Sequence, residues 1–164
     1  MDVPILDVIS RFVHVFTAIT LVGGSVFMAF VLGPSANELG EEAHNKLREQ
    51  VVKRWKKFVH GGIGLFLLSG VYNYMAMIPK HKGDGLYHGL VGTKIILALG
   101  IFFLASALVG RSKAFEGMRA QRAKWLKILV LLAAVVVGIS GFVKVRGIPA
   151  KVAEAAAAAA AATE

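Results

Sequence analysis

FVHVFTAITLVGGSVFMAFVL, residues 12–32, decides the fold. The run contains no Asp, Glu, Lys or Arg, and its apolar residues are not confined to one helical face. A surface helix of a soluble domain keeps a polar stripe, and this one has none. At ~1.5 Å per residue, about 20 such residues cross a hydrocarbon core about 30 Å thick. Three later blocks share the character: Phe58–Pro79, Gly89–Gly110 and Leu126–Val143, the last being the shortest and the least tilted. Lipid offers backbone groups no partner, so an open chain crosses it only as helix. The expectation is an all-α integral membrane four-helix bundle, with transmembrane helices at about 8–33, 57–79, 88–110 and 125–145. Residues 1–150 form its single domain, and the Ala-rich tail, 151–164, has no assigned function. The first block is expected to stay as an anchor, because acidic Asp2 and Asp7 precede it and it is too long for a signal-peptide core.

Composition narrows the chemistry. Of the 164 residues 56% are hydrophobic, and mean hydropathy is +0.65. Cysteine is absent, which removes disulfides, thiolate metal sites and covalent haem attachment. The net charge of +9 would suggest nucleic acid for a soluble chain, but here its distribution is topological and no nucleic-acid partner is expected. Lys46, Arg48, Lys53, Arg54, Lys56 and Lys57 lie between the first two blocks. Arg111, Lys113, Arg119, Arg122, Lys124 and Lys127 lie between the last two. The opposite side has fewer cations, so both basic loops are expected in the cytoplasm and both termini outside. Trp55 and Trp125 fall at the inner interface, and Tyr72, Tyr74 and Tyr87 toward the outer one.

Ser35-Ala36-Asn37-Glu38 has the form of a capping box after Gly33-Pro34. The proline-free stretch after it predicts an amphipathic cytoplasmic helix between spans one and two, running on into the second span. Acidic residues come first and basic ones last, as the helix dipole favours.

With this topology His14 and Lys94 share a level toward the outer face, and His60 sits at the inner end. Ionisable side chains at such depth face the bundle interior and mark sites or partners. His14 reads either as a hydrogen-bonded core histidine or as a ligand. Lys94 reads as a site residue or as a snorkelling lysine. His60, followed by Gly61-Gly62 and Gly64, is an inner-leaflet candidate or a headgroup-level histidine. Met75, Met77, His81 and His88 combine thioether and imidazole, which suits Cu(I). No intramembrane carboxylate, nucleophile–base pair or phosphate-binding glycine loop is present. Histidine, lysine and glycine on bundle helices suit a porphyrin, non-covalent haem b, with Arg11, Lys80, Lys82, Lys144 and Arg146 as candidate propionate partners.

VHVFTAITLVGGSVFMAFVLGPSA (13–36) resembles the first helix of the CopD-like membrane proteins and the related HemJ protoporphyrinogen oxidases. RWKKFVHGGIGLFLLSGVYNYM (54–75), with its Ser/Thr-Gly pair near the end, resembles their second helix. YHGLVGTKIILALGIFFLASALVGRS (87–112), with a lysine after the helix start, resembles their third. The similarity covers roughly residues 8 to 145 and implies a four-helix membrane bundle. In the HemJ branch it implies a b-type haem with functional weight on His14 and Lys94; in the CopD branch it implies copper handling.

The sequence thus leads to a b-haem protein of a bacterial cytoplasmic membrane, in electron transfer or oxidoreduction on a porphyrinogen or quinone. His14 and His60 are the haem-iron candidates. Lys94 is the catalytic candidate and a cofactor-binding one, with His88 and Arg11 beside it. The alternatives are a copper protein using Met75, Met77 and His81, and a cofactor-free scaffold. The lipid bilayer and a homo-oligomer complete the expected partners.

Overall fold

The structure is a computed structural model that describes residues 4–150 and 152–154. Most of the alanine-rich tail lies outside the described residues. Helices supply all the regular structure among the described residues. They are α1 (Ile5–Phe27), α2 (Glu41–Met77), α3 (Gly85–Val109), a short α4 (Glu116–Ala120) and α5 (Arg122–Arg146). Single 3₁₀ turns at Pro79–His81 and Lys113–Phe115 join the longer pieces.

Helix α1 does not stop at Phe27. It widens into a π turn, Met28–Leu32, and closes with one α turn, Gly33–Ala36. Proline supplies the cause. In an α-helix the Pro34 ring would meet the carbonyl four residues back, and its missing N–H would leave that carbonyl unpaired. The wider turn relieves both, with the Gly33 N–H donating to Met28 O. Gly33 is needed there, because a Cβ would lie 2.9 Å from the Met28 carbonyl oxygen.

The expected capping box is therefore not formed. Ser35 belongs to the last turn of the α1 rod, and the chain instead restarts at Gly40, with Glu41 and Glu42 in the first turn of α2. From there α2 runs 37 residues without a break. The amphipathic helix and the second apolar block are one rod, as the absence of proline predicts. Three helices are long and apolar enough to cross a membrane: Ile5–Ala36, Gly85–Val109 and Arg122–Arg146. Most of the block expected as a span at 57–79 lies in α2, which ends at Met77, and His60, Ser69, Asn73 and two tyrosines dilute its hydropathy.

The four long helices close a ring, α1 on α2, α2 on α3, α3 on α5 and α5 back on α1. Its interior holds small side chains, Thr17, Ser25, Ala29, Ser69, Ala107 and Ala133, beside larger ones such as Val91, Leu104, Leu108 and Leu129, all buried. Large apolar ones cover its outside, among them Phe12, Phe16, Leu68, Ile96 and Leu131, with Leu68 75% and Ile96 71% exposed. A soluble bundle would present polar side chains there. An exterior of large apolar residues suits lipid, since tails solvate leucine, and small interior residues let helices pack closely.

Between α1 and α2 the packing is glycine against bulk. The Trp55 ring lies where a Cβ on Gly24 would be, and Leu21 Cδ1 would be 2.5 Å from a Cβ on Gly62. At the same end Trp55 and Trp125 pack around Met28, Ala29, Leu108 and Leu126. The two expected inner-interface tryptophans thus share one level.

Candidate functional site

His14 enters the α1–α2 seam at a third glycine contact. A Cβ on Gly70 would meet His14 Cε1 at 3.4 Å. The imidazole is half-buried and meets Phe66 edge-on, with ring centroids 4.8 Å apart at 88°. Its Nδ1 lies 2.9 Å from Ser69 Oγ. Ser69 is buried, and its hydroxyl proton goes to the Leu65 carbonyl at 2.6 Å. A serine has one proton to give, so toward His14 the hydroxyl accepts and the imidazole donates. That assigns the proton of the neutral ring to Nδ1 and leaves Nε2 with its lone pair. Metal-bound histidines are held in this way, one nitrogen anchored by an acceptor and the other free to bind.

Lys94, on α3, is also half-buried. Phe66 in turn contacts Phe102 of α3, 5.7 Å between centroids. The structure gives His14 a partner that depth-counting missed, Ser69; the only hint was the Ser69-Gly70 pair near the end of the second apolar block.

The remaining candidates lie apart. His60 is exposed, and its Nδ1–H donates to Lys56 O on its own helix at 2.9 Å. It is nine residues along α2 from Ser69, about 13 Å, closer to the His14 level than most of a bilayer. Arg11 is exposed. Met75 and Met77 lie on α2 rather than in a loop. Two residues apart on a helix, they project about 200° from each other and do not converge.

His81 and His88 belong to a different arrangement, centred on Asp84. This carboxylate caps α3, accepting from the Tyr87 N–H at 3.1 Å. Arg146, the last residue of α5, donates Nη1–H to Oδ2 and Nη2–H to Oδ1, both at 2.9 Å. His81 Nδ1 lies 3.3 Å from Oδ2, and its ring stacks on Tyr87 at 3.6 Å and 4°. His88 Nε2–H donates to His81 O at 3.1 Å.

Asp84 and His81 are both buried. The Arg146 guanidinium holds the Asp84 carboxyl well below the usual carboxylate range; the Tyr87 amide and His81 add to this, while burial opposes it. A carboxylate at the positive end of α3 and a guanidinium at the negative end of α5 each complement a helix dipole. Gly83 and Gly147, with φ of 84° and 66°, make the turns that place them. Arg146 was expected as a free outer cation, and it is committed here instead. Neither partner was legible, because a Lys-Gly-Asp-Gly segment reads as a turn and the contact spans 62 residues.

Among the described residues no group of three or more His, Asp or Glu is placed to hold a metal ion. A haem iron would need one imidazole nitrogen, and the His14–Ser69 pair, with Nε2 left unprotonated, could supply it. No family model, curated protein or solved structure matches the chain.

Proposed function

We propose that the chain is a four-span membrane protein that carries b-type haem and passes electrons, with both termini outside the cytoplasm of a bacterial cell. The observation that carries the reading is the engagement of His14 Nδ1–H by Ser69, which leaves Nε2 free to hold an iron. Haem would supply one-electron chemistry when bound; the chain's own part would be to hold, orient and shield it. His14 would hold the iron, and Ser69 would fix the ring. Lys94 would pair with a propionate or supply a proton, and exposed Arg11 would be a further propionate partner. Phe66 and Phe102 keep the seam apolar.

Membership of the fourth span is supported by α2 itself, which packs between α1 and α3 and exposes Phe58, Leu65, Leu67, Leu68 and Val71. The resemblance of residues 13–36, 54–75 and 87–112 to HemJ-like and CopD-like helices supports a porphyrinogen or quinone as the substrate. The copper alternative loses the convergence of Met75 and Met77 that it needs.

The test is an absorption spectrum of the full chain purified in detergent, before and after dithionite. A Soret band with sharpened α and β bands on reduction is expected, and His14→Ala should abolish or shift them. A colourless protein after expression with haem precursor overturns the reading.

A further inference from the structure

At the tryptophan end of the bundle three arginines from three helices converge on one cleft of about 280 Å³. Arg48 comes from α2, Arg119 from α4 and Arg122 from the start of α5. Backbone carbonyls fix each guanidinium. Arg48 Nη2 donates to Arg119 O at 3.0 Å, Arg119 Nη2 to Ser112 O at 2.8 Å, and Arg122 Nη1 to Leu108 O at 2.9 Å. These contacts use a fraction of the five N–H donors that each arginine carries. Arg119 Nη1 is buried and has no hydrogen-bond partner.

Charge is equally unbalanced. Glu49 lines the cleft, yet among the described residues the only ion pairs are those of Asp84, so no carboxylate lies within 4 Å of the three guanidiniums. Like charges fixed side by side, one with a desolvated N–H, are costly unless an anion meets them. Guanidinium forks match the oxygens of a phosphate. The floor of the cleft is Leu108, which also belongs to the cluster packed by Trp55 and Trp125. Interfacial tryptophans mark headgroup depth, where phosphate oxygens are most concentrated.

We infer that this cleft is a phosphate-binding site, with the guanidiniums of Arg48, Arg119 and Arg122 as its donors. Two sources present that group: a free phosphate or phosphomonoester, and the phosphodiester of an acidic phospholipid. The inference does not depend on haem at His14.

The full chain in a neutral detergent would be titrated with inorganic pyrophosphate by calorimetry. In parallel it would be mixed with phosphatidylglycerol or phosphatidylcholine and weighed by native mass spectrometry. Pyrophosphate binding that Arg119→Gln weakens about tenfold or more supports the site with a soluble source. Selective retention of phosphatidylglycerol, lost in the same variant, supports it with a lipid source. Arg48→Gln removes an exposed flanking donor without touching the core, and so repeats the comparison if Arg119→Gln does not fold. Neither ligand bound, or both bound equally by wild type and variants, overturns the inference.

Discussion

Arg146 and Asp84 are joined by two hydrogen bonds of 2.9 Å, so the last residue of α5 is fastened to the residue that caps α3. The pair closes one end of the bundle, and the flanking turns at Gly83 and Gly147 set its geometry.

Acid should open it. The folded-state pKa of Asp84 is depressed below the unfolded value of about 3.9, so the carboxylate's contribution is complete above that value and fades as pH falls toward the lower one. Thermal unfolding in detergent should thus be insensitive to this group between pH 5 and 7, and decline below about pH 4. Asp84→Asn should melt lower at pH 7 and lack that share of the acid slope. Equal melting temperatures at pH 7 would show that the pair contributes nothing.

Ser69→Ala removes the acceptor of the His14 Nδ1–H without touching a ligand nitrogen. Loss of such an outer partner typically weakens metal binding about 10–100-fold. Haem retention on dilution should drop accordingly, while Ser69→Thr, which keeps a hydroxyl, should stay near wild type. Retention unchanged in Ser69→Ala would remove serine from the site.

Gly24→Val should destabilise by ~1–3 kcal/mol, the usual range for overpacking, because its side chain occupies the volume of the Trp55 ring. Trp55→Leu in the same chain should recover part of the loss, giving a coupling energy in a double-mutant cycle. Simple additivity of the two changes would mean that the ring does not pack there.

The cysteine-free sequence makes topology directly measurable. Single replacements Lys46→Cys, Lys113→Cys and Lys82→Cys should react differently with a membrane-impermeant maleimide applied to intact cells. Lys82→Cys should label from outside, and the other two only after permeabilisation. The opposite pattern would invert the proposed orientation.

Much of the bundle was legible because lipid imposes a one-dimensional rule: long apolar runs separated by basic loops. Depth along each span follows from counting residues, and counting is how His14 and Lys94 come to be read at one level. What counting misses is rotation about each helix axis. Ser69 could not be assigned to His14, nor Met75 separated from Met77, until the helical faces were fixed. The Ser35–Glu38 segment misled for a related reason: a local motif predicts a helix start, but the preceding helix had absorbed Pro34 through a π turn and was still running. Long-range pairs such as Asp84 with Arg146 leave no local trace at all.

The unbroken length of α2 has a mechanical meaning. Thirty-seven residues make a rod of about 55 Å, well over the thickness of a hydrocarbon core. Arg48 and Ser69 lie on that one rod, about 31 Å apart, with no proline between them to absorb torsion. The basic cleft and the Ser69 hydroxyl beneath His14 are therefore held at a fixed spacing by one continuous element.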